Sequence, residues 1–186
     1  MRIQGSTDVP LNDHGVQQIQ DWIPRLRKKS FAAIFSSPLL RAKQSAEILS
    51  DAMALPIQIE KDLREGQYGP LEGLTIEEFK QIYAKELKEL RSMERKDRNR
   101  FQFHEDYESA YQILKRALPC LRKIANDHFG ANVLVVTHGW VMKSLFAELK
   151  NLDEFGIYIH NSALIHIQCD GRKESIQFYE GIEGTS

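Results

Sequence analysis

The 186-residue sequence has little cysteine, no long apolar run and almost no net charge, and each shortage excludes a class of protein. Its two cysteines, Cys120 and Cys169, lie far apart and form no CxxC or Cys/His cluster. This spacing argues against structural zinc and a disulfide framework, and it fits a reducing cytoplasm. No apolar stretch approaches the roughly 20 residues of a membrane span. A net charge of -1 argues against a surface that binds nucleic acid.

What the sequence does contain predicts an α/β domain. Apolar residues make up 42% of the chain, enough for one domain over residues 1–186 with a substantial core. Short apolar runs predict strands at 31–35, 57–60 and 133–136, and helical spacing predicts helices at 15–29, 40–53, 109–126 and 141–149. Pro119 should interrupt or kink the third of these helices. Strands that alternate with helices in this way favour a mostly parallel sheet.

Two segments differ from this alternation. Residues 75–96 are rich in charge and helix formers with apolar residues at helical spacing, which predicts an amphipathic helix over one side of the domain. The polar residues 96–100 are interpreted as a mobile connection after it. Residues 162–169 and 175–179 alternate apolar and polar side chains around Asp170-Gly171, which predicts a closing hairpin.

The most informative stretch is the one around His138. Val133 to Val136 is an apolar run typical of a strand buried on both faces, and Thr137-His138-Gly139 follows it before the next helix. Ligands of open α/β sheets bind at this carboxyl edge, where a helix amino terminus presents free N–H groups to an anion. Gly139 has no Cβ, so a phosphate can approach closely. By itself, the pattern fits equally well a histidine that only caps the helix.

Three other features carry weaker signals. Arg41 lies in the first turn of a helix after a buried strand, where its guanidinium can hold two phosphate oxygens at once. Glu65 lies in a glycine-spaced loop, and partial burial would raise its pKa and make it a candidate general acid. Gln4-Gly5 could offer backbone N–H groups to an anion. Taken singly, each feature is better interpreted as ordinary: Arg41 as a surface arginine, Glu65 as a solvated loop carboxylate, and Gln4-Gly5 as a loop without a function.

Taken together, the motifs resemble the histidine phosphatase superfamily, also called the phosphoglycerate mutase-like family. The motifs follow one another as Arg2–Asn12, Ser36-Ser37-Pro38-Leu39-Leu40-Arg41, Leu63-Arg64-Glu65 with Gly69-Pro70-Leu71-Glu72-Gly73, Val133–Gly139, and Asn161-Ser162. The resemblance implies a three-layer α/β/α fold with a mostly parallel sheet and a helical lid at about 75–108. It also implies a small phosphorylated substrate and neither a metal nor another cofactor.

The resemblance implies a covalent mechanism, in which a histidine attacks a phosphomonoester and the phosphohistidine is then hydrolysed. By position, Arg41 would be the second of two arginines that clamp the phosphate. His138 would donate a hydrogen bond to the phosphoryl group in transfer, and Glu65 would protonate the leaving oxygen and then activate water. The residues implied to line the pocket are Gln4, Gly5, Gly66, Gln67, Tyr68, Gly139 and Trp140.

The chain departs from the family at its first strand. That strand carries Arg-His-Gly, supplies the nucleophile and the first arginine, and precedes the loop that here begins at Arg2. It is absent here, and the other histidines are not expected to replace it, namely His14, His104, His128, His160 and His166. Because the family's first strand is central, its loss should leave two unpaired strand edges. We therefore expect a truncated phosphatase that is inactive or impaired as given.

Two alternatives to a phosphatase lineage remain open. One is a catalytically dead pseudoenzyme that binds phosphorylated ligands or a protein partner, and the other is a mutase, although the chain is short for the family's mutases. The lid cations Lys80, Lys85, Arg91, Arg95 and Arg98 could touch a second anionic group, but a solvated face is the preferred interpretation. Tyr107 stands where the family often has glycine, which puts that part of the pocket in doubt. The sequence leaves a homodimer open.

Overall fold

A computed structural model describes residues 2–170 and 173–184, so Met1 and the predicted turn residue Gly171 lie outside the described residues. The helices are α1 (Asp13–Leu26), α2 (Leu40–Met53), α3 (Ile76–Ile82), α4 (Ala84–Ser92), α5 (Arg95–Arg98), α6 (Ala110–Asp127) and α7 (Gly139–Lys150). The strands are β1 (Ile34–Ser36), β2 (Ile57–Ile59), β3 (Leu134–Val136), β4 (Tyr158–Cys169) and β5 (Glu174–Glu183). Within the described ranges, no helix is long and apolar enough to cross a membrane.

Three parallel strands form a sheet in the order β2-β1-β3, with Ile34 opposite both Ile57 and Leu134. Helices cover both of its faces. Leu26 of α1 and Leu49 of α2 pack on the face of Ile34, whereas α6 packs on the opposite face through residues such as Ile124. The predicted α/β class with a parallel sheet is therefore confirmed.

Side-chain caps set where several helices begin. The Asn12 side chain accepts a hydrogen bond from the Gly15 N–H (2.8 Å) and starts α1. Ser109 and Gln112 form a capping box at the start of α6, in which each side chain bonds the other residue's backbone N–H. The prediction that Pro119 interrupts this helix is wrong, because α6 runs through it. Pro119 is exposed, so the buried face of α6 continues to pack without interruption.

The segment predicted as one lid helix consists of three, since the chain breaks at Tyr83 and again after Ser92. Helical spacing did not reveal these breaks because they depend on tertiary contacts: Tyr83 packs edge-on against the distant Phe103. Residues 96–100, predicted as a mobile connection, instead include part of α5. Arg98 fixes this stretch by donating to the Leu90 carbonyl (3.1 Å) and pairing with Asp153.

The closing hairpin is formed by β4 and β5, which pair antiparallel and are both longer than predicted. Its apolar face packs on α7, where the Phe146 and Tyr179 rings meet edge-on with 4.9 Å between their centroids. Its other face reaches α1, where the Trp22 indole donates to the Ser162 carbonyl (3.0 Å). The hairpin therefore continues the sheet layer between the same two layers of helices.

A gap separates the hairpin from the three-stranded sheet. In the part of the chain that the structure describes, β3 pairs only with β1 and β4 only with β5. A cavity of about 1230 Å³ includes residues 133–136 and 162–167 in its walls. The prediction that β3 is buried on both faces is therefore wrong: its residues are only half-buried because its outer edge borders this cavity.

Candidate functional site

Arg41, Glu65 and His138 lie far apart in sequence, yet all three line the same cavity. Each comes from a segment at the carboxyl edge of the parallel sheet. Arg41 is in the first turn of α2 after β1, Glu65 is in the loop after β2, and His138 follows β3. The carboxyl ends of parallel strands meet at one edge, which brings the three side chains together.

His138 is the N-terminal cap residue of α7 and is buried, with 7% of its surface exposed. Its Nε2 is 2.6 Å from the Ser37 hydroxyl oxygen. Burial, together with the smaller effect of the positive charges of Arg41 and Arg116, lowers the pKa of His138 to about 3. The imidazole is therefore neutral at pH 7, and Ser37 helps to hold its orientation. Ser37 belongs to the Ser-Ser-Pro turn, but the sequence assigned it no role.

Arg41 is held by the loop near the amino terminus of the chain. Its Nη1 donates to the Thr7 carbonyl (2.9 Å) and its Nη2 donates to the Gly5 carbonyl (2.8 Å). Half burial lowers its pKa, while the nearby Glu65 carboxylate opposes that shift. Because the pKa of arginine is far above neutral, the guanidinium keeps its charge at pH 7 and can attract an anion.

Glu65 is the buried carboxylate of the site, with 9% of its surface exposed. Its Oε1 accepts the Gly66 N–H (2.8 Å) and its Oε2 accepts the Trp140 N–H (3.3 Å) at the start of α7. Burial raises the pKa of Glu65, and these two N–H groups, together with Arg41 and Arg116, oppose the rise. A carboxyl group with a raised pKa is suited to exchange a proton with a substrate oxygen near neutral pH.

Arg116 and Glu108 support the Glu65 loop, and neither role was predicted. The Arg116 guanidinium pairs with Glu108 through two hydrogen bonds of 2.6 and 2.8 Å. It also donates to the backbone carbonyls of Asp62, Arg64 and Glu65. The Glu65 loop is therefore held by the ion pair between Arg116 of α6 and Glu108, the residue just before the N-cap of that helix. Glu108 directly follows Tyr107, the position where the family often has glycine, and this was the only signal that the sequence offered.

Glu72 organises the loop that carries Gly5. Its two carboxylate oxygens accept hydrogen bonds from the backbone N–H and the hydroxyl of both Ser6 and Thr7, at 2.7 to 3.1 Å. Gly5 has φ +56°, and a Cβ there would lie 2.3 Å from the Glu72 Oε1. Only glycine combines this backbone conformation with such a close approach. Glu72 thus positions the carbonyl groups that hold Arg41.

Most of the predicted pocket residues border the cavity, and two do not. Gln4, Gly5, Tyr68, Gly139 and Trp140 line it. Gly66 is buried behind the Trp140 ring, where a Cβ would lie 2.8 Å from the indole. Gln67 is exposed and exchanges backbone hydrogen bonds with Glu108 instead. The roles assigned to these residues remain predictions, and Gln67 has no contact in the structure that supports its role.

Aromatic rings form one wall of the cavity. Tyr68 lies 5.7 Å from Tyr107 and 6.2 Å from Trp140, measured between ring centroids. Tyr107, which replaces the family's common glycine, is buried, and burial raises its pKa. The replacement therefore fills this part of the pocket with a neutral ring.

Neither a second imidazole nor a metal cluster joins these groups within the described ranges. His14, His160 and His166 also line the wide cavity, but no described histidine forms a hydrogen bond or ion pair with Arg41, Glu65 or His138. His160 pairs with Glu183 instead (2.7 Å). Candidate metal ligands come together at His104, Glu105 and Asp106, in a lid loop away from Arg41 and Glu65. The described site can thus bind an anion and move a proton.

Comparisons with known proteins agree with this geometry. The model of the histidine phosphatase superfamily (branch 1) matches residues 1–180. "Phosphoglycerate mutase-like protein 4" of Arabidopsis thaliana is 31% identical over 181 residues, covering 96% of this chain and 77% of that protein. "Metal-independent phosphoserine phosphatase" of the same plant is 31% identical over 170 residues, covering 90% of this chain and 70% of that protein.

A solved structure shows the same fold. Bacillus stearothermophilus YhfR superposes with a TM-score of 0.81 at 29% identity, covering 95% of this chain and 87% of that one. The family model spans far more than half of the 186 residues. The chain therefore belongs to the histidine phosphatase superfamily.

Proposed function

We propose that this chain carries the phosphate-binding and proton-transfer groups of a phosphomonoester hydrolase that works through a phosphohistidine. The observation that carries the proposal is the buried Glu65 carboxylate, which shares one cavity with Arg41 and His138. Phosphate binding alone gives no reason to bury a carboxylate beside the arginine that attracts the anion. Proton transfer to and from the substrate oxygen does give one.

Each described group has a step in this reaction. Arg41 binds the phosphoryl oxygens, and His138 donates a hydrogen bond to the charge that develops on them. An attacking imidazole forms a P–N bond as the P–O bond to the alcohol breaks, and Glu65 gives its proton to the departing oxygen. Water then attacks phosphorus, the P–N bond breaks, and Glu65 takes back a proton. Inorganic phosphate and the free alcohol are the products.

The proposal includes that the 186 residues by themselves are impaired as a phosphatase. Its ground is that none of the other described histidines that line the cavity bonds Arg41, Glu65 or His138, so none is held in position to attack phosphorus. The cavity between β3 and β4 supports this reading. Its walls include the apolar residues of both unpaired edges, and it reaches His138 at the end of β3. One more parallel strand in that space would end beside the phosphate-binding groups. Without the attacking group, only the rate advantage of binding and electrostatics remains.

Phosphate release from an aryl phosphate tests the proposal. The chain is compared with a version extended at its amino terminus by a strand that ends in Arg-His-Gly. We expect the extended protein to turn over at least about 100-fold faster, because it gains the attacking imidazole. In the extended protein, Glu65→Gln should reduce turnover by about 100-fold or more but leave phosphate binding intact. Equal rates for the unextended and extended proteins would contradict the proposal.

A second candidate is a pseudoenzyme that binds phosphorylated ligands, and the missing second imidazole favours it. Calorimetric titration with inorganic phosphate and vanadate separates the two. Micromolar binding by the unextended chain, with no turnover even after extension, would support the pseudoenzyme. A phosphatase is preferred because the relatives include a phosphoserine phosphatase.

The free thiols of Cys120 and Cys169 support a reducing compartment, for which we propose the cytoplasm.

A further inference from the structure

A second polar cluster lines the cavity beyond the groups that would handle the phosphate. It consists of Tyr107, Trp140, Lys143 and Glu154. Within the described residues, neither the Lys143 ammonium nor the Glu154 carboxylate has a hydrogen bond or a direct ion pair, and the buried Trp140 Nε1–H has no acceptor. Glu154 is buried and Lys143 is half-buried over the Trp140 ring. Polar groups in such places normally have hydrogen-bond partners, so these groups are available to bind a ligand.

The cluster begins where the phosphate site ends. The Trp140 backbone N–H donates to Glu65, and the Lys143 Nζ lies 5.3 Å from the centroid of the Trp140 ring. Residues three apart on a helix share one side of it, so Lys143 is nearly one turn, or about 4.5 Å, further along α7. Tyr107 connects the two regions, because both Glu65 and Glu154 act electrostatically on it. A substrate of a few carbon atoms can therefore reach both regions.

The two charges of the cluster are of opposite sign and act on each other electrostatically without forming an ion pair. Burial lowers the pKa of Lys143 and raises that of Glu154, and each charge opposes the other's shift. The nearest lid cations are already engaged, since Arg98 pairs with Asp153 and Arg95 pairs with Glu148. A separated ammonium and carboxylate on the wall of a cavity are complementary to a ligand that carries one charge of each sign.

We propose that Lys143 and Glu154 bind the carboxylate and the ammonium of a phosphorylated α-amino acid whose phosphoryl group occupies the catalytic site. This inference rests on the proposed function and names its substrate class. The lid residues Lys80, Lys85 and Arg91 are exposed and away from the cavity, so they are not placed to read a second charge.

Calorimetric titration of the 186-residue chain with matched ligands tests the inference without requiring turnover. The ligands are O-phospho-L-serine, 3-phosphoglycerate, in which a hydroxyl replaces the ammonium, phosphoethanolamine, which lacks the carboxylate, and inorganic phosphate. Phosphoserine should bind most tightly, and removal of either charge should weaken binding by about 10-fold or more, as expected for hydrogen bonds to charged groups.

Three variants assign each preference to its residue. Lys143→Met should bind phosphoserine no better than phosphoethanolamine, whereas Lys143→Arg should retain much of the preference for the carboxylate. Glu154→Gln should bind phosphoserine no better than 3-phosphoglycerate. Inorganic phosphate should bind equally well in all of them. Lys150→Met is the matched control, since Lys150 is also on α7 and packs over Tyr179 but does not line the cavity.

Two results would overturn the inference. One is equal affinity of the parent chain for phosphoserine and inorganic phosphate. The other is a loss of inorganic phosphate binding in Lys143→Met or Glu154→Gln equal to the loss of phosphoserine binding, which would reveal a structural role. Failure of inorganic phosphate to bind the parent chain would refute the proposed function itself, and with it this inference.

Discussion

His138 illustrates how burial sets the chemistry of a single residue. Its pKa of about 3 lies well below the ordinary value of 6.5, because the buried imidazole loses its hydration next to the positive charges of Arg41 and Arg116. A phosphate dianion in the cavity would reverse part of this effect and favour a proton on the ring. The residue is thus suited to respond to the charge of its ligand.

The stability of the protein should report this burial. The unfolded chain binds a proton at His138 below about pH 6.5, whereas the folded chain does not until about pH 3. The contribution of His138 is therefore complete above pH 6.5 and is lost as the pH falls, by about 1.4 kcal/mol per pH unit. In urea unfolding between pH 7 and pH 4, the free energy of unfolding should fall less in His138→Gln than in the parent. The difference should be about 1.4 kcal/mol for each pH unit below pH 6.5.

The control for this experiment is His14→Gln, since His14 is exposed at the start of α1. It should follow the parent's pH dependence. Parallel curves for His138→Gln and the parent would show that the pKa of His138 is the same in the folded and unfolded states, and would contradict the effect of burial on this residue.

At the scale of elements, the short loop around Gly5 determines the position of the Arg41 guanidinium. The loop around Gly5 is held by Glu72 and in turn holds Arg41 through the Gly5 and Thr7 carbonyls. This chain of contacts connects residues more than 60 positions apart in sequence. An arginine that is fixed in this way before its ligand arrives loses less entropy on binding.

A pair of glycine substitutions separates backbone strain from crowding. Gly5 and Gly73 both have positive φ, at +56° and +86°, but only at Gly5 would a Cβ meet other atoms, 2.3 Å from Glu72 and 2.5 Å from Tyr68. Gly73→Ala should cost about 1–2 kcal/mol from the backbone alone. Gly5→Ala should cost more and should also weaken phosphate binding by about 10-fold, because it shifts the carbonyl that holds Arg41.

Urea unfolding measures the first effect of these substitutions, and calorimetric titration with phosphate measures the second. If Gly5→Ala bound phosphate as tightly as Gly73→Ala, the loop would have no part in positioning the arginine.

At the scale of the whole molecule, the main feature is the cavity between the two sheets. The apolar faces of helices cover it from both sides, and the two unpaired edges of β3 and β4 border it. Unpaired edges and exposed apolar surface favour pairing with other chains. This cavity is therefore the region that we expect to limit both the stability and the solubility of the 186-residue chain.

A strand that fills the cavity should stabilise the protein strongly. Burial of several apolar side chains contributes about 1.5–3 kcal/mol each, and for a chain of this size each kcal/mol raises the Tm by about 2–4 °C. We expect the Arg-His-Gly extension to raise the Tm by more than about 10 °C in differential scanning calorimetry and to reduce the binding of an apolar dye.

The matched control for the strand is an extension of the same length with prolines at alternate positions, which cannot donate hydrogen bonds to a neighbouring strand. It should leave the Tm near that of the unextended chain. An equal rise for both extensions would mean that the cavity does not accept a strand.

Local patterns were enough to predict much of the fold. The bounds of α2 agree with the prediction, and β2 and α7 were located to within two residues, because apolar periodicity depends mainly on neighbours along the chain. The single helix predicted over residues 75–96 is wrong: three helices are present, and the Tyr83 ring at the first break packs on Phe103, a contact that helical spacing does not reveal. The half-burial of β3 depends on what lies beside its outer edge, and no local pattern contains that information.

For the site, the sequence by itself determined which residues could act: an arginine, a glutamate and a histidine that follow three strands, together with the family that they resemble. Only the tertiary structure decided that they share one cavity, that burial raises the pKa of Glu65 and lowers that of His138, and that Lys143 and Glu154 border the same space. The physical reason is that residue types and their order are local properties. Burial, hydrogen-bond partners and electrostatic neighbours exist only after distant segments have packed together.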